Sequence, residues 1–277
     1  MTITNDTQTG PVEKKHGYAP VNGLDMYYEI QGTGDPLVYI PMGFGCAGVT
    51  EFPALTRNRA LITMDLQGVG RTVDINRPRS FEQDADDVIA LLKHLGITQA
   101  DLLGECAGGV VAMLIALRRP EIVRRVATYG TVFGPAQDAY KPELLAPLMD
   151  LTPDSPSVQW QRENYRKVAP DPSCWPAIWS KVFSIRWSGF GREELMSLQM
   201  PVLIAVGDHD WVRLDHVLET FSLIPDAELA VIPDAGHFAL HTDQTKLLPA
   251  VEAFLDAPRP KVPFATTETG YHPGATR

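Results

Sequence analysis

Cysteine is scarce in this chain, with three among 277 residues. Cys46, Cys106 and Cys174 are too few and too widely spaced for a disulfide framework, so a reduced, cytoplasmic setting is expected. Long apolar runs are also missing. The longest clean stretch, residues 110–117, is far too short to cross a bilayer. Residues 1–15 are polar and contain no apolar segment of the secretory kind. Positive charge is in deficit: 24 Lys and Arg stand against 34 Asp and Glu, for a net charge of −10. That balance argues against nucleic acid and anionic membranes as partners, because both are polyanionic. Metal-ligand spacing is lacking as well. No Cys-x-x-Cys pair occurs, and His237 and His241, four residues apart, begin in a loop that has another explanation below. Gly43-Phe44-Gly45 and Gly68-Val69-Gly70 complete neither a dinucleotide fingerprint nor a P-loop. No cofactor is implied.

What is present has globular proportions, 44% apolar and 21% charged, at a length that suits one large α/β domain. Asn22-Gly23 lies between two candidate strands, a strong hairpin signal. Strand-like runs at 24–30, 37–40, 60–65, 100–103, 123–129, 201–206 and 228–232 alternate with helical patterns at 81–95, 108–119, 214–222 and 246–255. Strands separated by helices of this length imply βαβ units and a mostly parallel central sheet flanked by helices. The acidic run 82–87 reads as the solvated first turn of a helix, where carboxylates suit the dipole. The rhythm breaks after Gly130 and resumes at 201. The intervening residues, 133–200, read as a helical cap inserted in the core formed by 17–132 and 201–257, with tails at 1–16 and 258–277. Four of the five tryptophans, Trp160, Trp175, Trp179 and Trp187, lie in that cap. Their large apolar faces suit substrate binding under a lid and equally suit an ordinary small core.

The sharpest chemical feature is Leu102-Leu103-Gly104-Glu105-Cys106-Ala107-Gly108-Gly109, between an expected strand and an expected helix. Gly104 and Gly108 allow a tight strand-to-helix turn that side chains would obstruct. Such a turn raises residue 106 above the sheet at a helix N-terminus, where free amides and the helix dipole favour a thiolate or a developing oxyanion. The Glu105 side chain is expected to point away from it. This string resembles the nucleophile elbow of the α/β-hydrolase superfamily, with cysteine where serine is usual. Gly207-Asp208-His209-Asp210 is similar to the family's acid turn, and Pro233-Asp234-Ala235-Gly236-His237 to its histidine loop, in the family order of nucleophile, acid and base. The resemblance implies Cys106 as nucleophile, His237 as base and Asp210 as acid, with Asp208 the rival for that role. It further implies an oxyanion hole from the amides of Phe44, in the loop Pro41-Met42-Gly43-Phe44-Gly45, and of Ala107. Residues 65–71, Asp-Leu-Gln-Gly-Val-Gly-Arg, resemble the family's D-x-x-G-x-G-x-S turn. His209 is expected on the surface, His241 as a polar group near a helix, Cys46 in packing and Cys174 in a structural role.

Three departures stand out: Met42 where the oxyanion loop usually has His, Val69 where the later turn usually has His, and Cys106 itself. A thiol has a reference pKa of ~8.5, so a neighbouring histidine can hold it as thiolate near neutral pH. A serine must lose its proton as it attacks. The expected activity is hydrolysis of a carboxylic ester or lactone through a Cys-His-Asp triad and a covalent acyl-enzyme, acting on a small molecule. The segment 165–172 resembles that of a bacterial esterase subgroup that includes macrolide-ring esterases, which suggests a bulky lactone. Acyl transfer, cyclisation and carbon–carbon bond cleavage on the same scaffold are alternatives. So is a ligand-binding protein that has lost turnover, with Cys106 a small buried residue. The sequence suits both a native cysteine enzyme and a serine enzyme carrying a cysteine at 106, and it leaves a homodimer open.

Overall fold

The computed structural model describes residues 14–258. The expected tails fall almost wholly on residues 1–13 and 259–277, which lie outside the described residues. The chain opens with β1 (Lys14–Val21) and β2 (Leu24–Gln31), an antiparallel hairpin in register from Val21↔Leu24 to Lys14↔Gln31. Both turn residues have positive φ, 48° at Asn22 and 85° at Gly23, as a type I′ turn requires. Lys14–His16, expected in the tail, are drawn into β1 by pairing with Gln31–Glu29. Then come β3 (Asp35–Ile40), β4 (Arg59–Met64), α1 (Phe81–His94), β5 (Ala100–Glu105), α2 (Ala107–Arg118) and β6 (Val123–Tyr129). Five helices follow before the next strand: α3 (Ala136–Ala139), α4 (Pro142–Met149), α5 (Gln159–Val168), α6 (Trp175–Phe183) and α7 (Arg192–Met196). The core resumes with β7 (Val202–Gly207), α8 (Leu214–Leu223), β8 (Ala227–Ile232), α9 (Ala239–Thr242) and α10 (Gln244–Asp256).

The eight strands form one sheet in the order β1-β2-β4-β3-β5-β6-β7-β8. The first three in that order pair antiparallel and the rest parallel. Alternate strand residues feed two cores. Val38, Ile40 and Leu102 join α1, α2 and α8 on one face, while Leu37, Tyr39 and Leu103 join α10 on the other. The inner strands are buried on both faces, which explains their nearly continuous apolar runs. A third, smaller core of Val158, Tyr165, Trp175, Ile178 and Trp179 holds the cap-like helices together. Among the described residues, no helix is long and apolar enough to cross a membrane.

The acidic run of α1 departs from expectation. Ser80 caps the helix by accepting from the Gln83 amide at 3.2 Å, yet Asp84 and Asp87 are buried rather than solvated. Arg79 Nε lies 3.1 Å from Asp84, and Arg77 Nη2 lies 2.6 Å from Asp87, which also accepts from Asn22 Nδ2. The arginines just upstream fold back and neutralise these carboxylates, so the helix is docked by ion pairs as well as by apolar side chains.

Where β5 meets α2, backbone closeness explains the small residues. A Cβ on Gly104 would meet Gly108 O and Gly109 Cα at 2.5 Å, and one on Gly108 would collide with the carbonyl oxygen of Ile40. Gly108→Ala should therefore lower stability by about 1–3 kcal/mol, the usual cost of overpacking, read as a fall in Tm in thermal melts.

Candidate active site

The carboxyl ends of β3, β5, β7 and β8 converge on Cys106. The thiol residue sits between β5 and α2 with φ 51° and ψ −117°, a conformation a non-glycine residue rarely adopts. Its amide donates to Tyr129 O at 2.8 Å, and its carbonyl accepts from Gly109 N at 3.0 Å, so both sides of the strained residue are tied down. The Cys106 side chain is half-buried, and Ala107 begins α2, whose first amides lack intrahelical partners.

The loops after β7 and β8 are knitted together. His209 N donates to Ala235 O at 3.0 Å, Ala235 N donates to Asp208 Oδ1 at 3.2 Å, and Tyr129 Oη donates to Gly236 O at 2.5 Å. This arrangement brings His237 Nδ1 to 2.8 Å from Asp210 Oδ1, which also accepts from Val212 N at 3.0 Å. His237 and Asp210 are both buried. Asp208 and His209 are exposed; hydrogen bonds from the Asp234 and Ala235 amides hold the Asp208 carboxyl below its usual range. With Nδ1 committed to Asp210, Nε2 is the ring nitrogen left for Cys106, whose charge acts on the imidazole. Burial alone would favour the neutral imidazole. The Cys106 charge, the hydrogen bond to Asp210 and the Asp210 charge outweigh it, raising the His237 pKa to about 10.

The loop carrying Phe44 follows β3. Gly45 N donates to Met42 O at 2.7 Å, closing a turn, and Arg79 Nη1 donates to Gly43 O at 3.3 Å. The Phe44 ring stacks on Trp179 at 5.0 Å and an interplanar angle of 2°, with Trp175 5.1 Å away. Trp175 and Trp179 are thus buried in the small core that anchors Phe44. Trp187 packs edge-on against Phe81 and Phe190, and exposed Trp160 lies beside His241. Asp65 organises the neighbouring turn. It accepts from Ala47 N at 2.5 Å and Arg71 N at 2.7 Å, and burial raises its pKa to about 6 against the pull of those bonds and of Arg71.

Three site neighbours escaped sequence reasoning. Tyr140 forms an isolated bridge with Val212, and its buried phenol feels the Cys106 and Asp210 charges. Burial first, then those charges, hold the phenol well above its usual value, so it keeps its proton and can act as a donor. Trp211 stacks on His237 at 4.4 Å and 9°. Gly130, with φ 59°, sits where a Cβ would come within 3.0 Å of Asp210 and His237. None belongs to a local motif. The positive φ at Gly130 is the one feature its residue type could have suggested.

Among the cysteines, Cys46 is buried, and burial pushes its thiol up. Cys174 is exposed, but its thiol is also raised by desolvation and by Asp171. Iodoacetamide at pH 7 should therefore modify Cys106 at least about tenfold faster than either, as read by peptide mass mapping. The histidine adds a pH signature. A histidine raised from 6.5 to about 10 contributes stability that is complete below pH 6.5 and lost as pH rises through about 10. His237→Gln should accordingly lower Tm more at pH 6 than at pH 10 in paired thermal melts.

Residues 32–250 match the family described as "Alpha/beta hydrolase family". The mouse (Mus musculus) protein named serine hydrolase BPHL is 33% identical over 118 residues, 40% of this chain and 40% of that protein. The dihydrolipoyllysine-residue acetyltransferase component of the acetoin cleaving system of Pseudomonas putida is 27% identical over 255 residues, 84% of this chain and 66% of that protein. These curated relatives are thus matched over 40% and 66% of their own length. Among solved structures, the meta-cleavage product hydrolase CumD of Pseudomonas fluorescens superposes with a TM-score of 0.69 at 26% identity, covering 88% of this chain and 98% of that one. The matched span, the eight-stranded sheet and the strand-to-helix turn at Cys106 agree, and the chain belongs to the alpha/beta hydrolase family.

Proposed function

We propose that this chain hydrolyses a carboxylic ester or lactone of a small molecule through a thioester on Cys106. The observation that carries this reading is the strained Cys106 at the N-terminus of α2, whose charge acts on a buried His237 with Nδ1 2.8 Å from Asp210. In the proposed sequence the Cys106 sulfur adds to the carbonyl carbon, and the carbonyl electron pair becomes an oxyanion facing the amides of Ala107 and Phe44. Collapse expels the alkoxide, which takes the proton from His237 Nε2. Water then gives a proton to His237 and attacks the thioester carbon, releasing the acid and returning the sulfur. Asp210 keeps the imidazole in the tautomer and orientation this needs. The raised His237 pKa suits the acid step, because the imidazolium persists at neutral pH. Tyr140, which keeps its phenolic proton, adds a donor near the sulfur to stabilise the thiolate released when the thioester is cleaved.

A second reading has one observation in its favour. The solved structure of similar fold and 26% identity is named a meta-cleavage product hydrolase, which makes cleavage of a carbon–carbon bond the rival reaction.

Intact-mass measurement after exposure to activated esters and lactones is the primary test. An acyl adduct on Cys106, absent from Cys106→Ala together with all turnover, is the expected result. Turnover that survives Cys106→Ala would sink the proposal. Asp210→Asn should cost on the order of 10³–10⁴-fold in rate and Asp208→Asn little, by analogy with serine triads. A paired pH–rate profile on p-nitrophenyl acetate then separates a native thiol site from a substituted serine site. Cys106→Ser should be slower at neutral pH. A serine form faster at every pH, with acyl groups persisting on the cysteine form, would overturn the native-thiol reading alone.

A further inference from the structure

Among the described residues two histidines pair with a buried carboxylate, and the proposed reaction uses only His237 with Asp210. The second pair is His241 with Glu105, the residue next to Cys106. Glu105 is fully buried. Its Oε2 accepts from Tyr39 Oη at 2.7 Å and lies 2.9 Å from His241 Nε2. The other ring nitrogen, Nδ1, is 2.5 Å from Thr50 Oγ1. A carboxylate accepts, so His241 Nε2 and Tyr39 donate to Glu105, and the Thr50 hydroxyl pairs with Nδ1 at the far side of the ring. Trp160 lies 5.0 Å from the imidazole, ring centre to ring centre.

A buried charge of this kind is a poor stabiliser, since apolar side chains of equal volume would fill the space at lower desolvation cost. Its value lies in what it connects. Glu105 ends β5 and is bonded to Cys106. His241 lies on α9, which continues directly from His237 through Ala239 N to Gly236 O and His241 N to Phe238 O. Tyr39 belongs to β3, which leads into the Phe44 loop, and Thr50 lies beyond that loop. One network thereby joins the three segments that carry the proposed nucleophile, base and oxyanion amide. A hydrogen-bonded carboxylate constrains distance and direction far more tightly than apolar packing does.

We propose that the Glu105–His241 pair is a positioning device that holds the Cys106 elbow and the His237 loop in register. Neither residue touches the reacting atoms. The inference rests on the reading of Cys106 and His237 as the reacting pair.

The test compares the parent chain with His241→Gln and Thr50→Val, reading three quantities: the rate of Cys106 alkylation by iodoacetamide, kcat and KM on p-nitrophenyl acetate, and Tm. His241→Gln should lower kcat by about 10–100-fold, the usual effect of losing a group that orients a reacting one, and should slow Cys106 alkylation severalfold. KM should stay within about threefold, because no substrate contact is removed. Thr50→Val leaves the Glu105–His241 contact in place and should shift kcat and alkylation in the same direction by a smaller factor. It also carries the test if His241→Gln does not fold. Alkylation is measured on folded protein without a substrate, so a purely structural role would move Tm and leave that rate alone. A reactive Cys106 whose alkylation and turnover stay within twofold of the parent in the folded variants overturns the positioning role alone. Equal reactivity of Cys46, Cys106 and Cys174 in the parent chain overturns the nucleophile reading, and the positioning role with it.

Discussion

The structure depends on a single backbone constraint, the turn that carries the chain from β5 into α2 at Cys106. A side-chain-bearing residue at φ 51° costs free energy on the order of 1–3 kcal/mol and persists only where its surroundings over-determine it. Here they do. The Cys106 amide is bonded to Tyr129 on the neighbouring strand, and the missing side chains of Gly104, Gly108 and Gly109 let α2 press against β3 and β6. The same geometry aims the thiol away from the sheet and presents the first free amides of α2 beside it. Strain and packing thus share one cause.

Around that turn the parallel sheet supplies the remaining groups, because parallel strands deliver all their carboxyl-end loops to one edge. The loops after β7 and β8 carry Asp210 and His237, and their mutual hydrogen bonds make the two loops one rigid unit. Burial works against the imidazolium, and the surrounding negative groups more than offset it. Trp211 covers the ring on one side, and Gly130 leaves the space the pair occupies. His237 and Asp210 are therefore buried and tightly held, and charges interact strongly in such surroundings.

The cap-like helices contribute in a different way. Trp175 and Trp179 bury themselves against the Phe44 ring, so the aromatic cluster of the insertion anchors the loop after β3. Movement of those helices is consequently coupled to that loop through aromatic packing.

Local patterns in the sequence determined much of this protein. Asn22-Gly23 encodes its hairpin because both residues tolerate positive φ, and the alternating apolar runs encode strands and helices through periods of 2 and 3.6. The spacing of glycines around Cys106 encodes the turn itself. Tertiary structure decided what depends on contacts between residues far apart in the chain. Asp208 and Asp210 occupy one turn, and the arrival of His237, 27 residues on, selects Asp210 for the hydrogen bond. Tyr140 reaches Cys106 only because its backbone bridges Val212. Asp84 and Asp87 look like solvated helix residues until Arg79 and Arg77 fold onto them. Glu105 meets His241 across 136 residues, a pairing no local period could signal. Secondary structure follows from neighbours along the chain, whereas burial, ion pairing and proton affinity follow from neighbours in space.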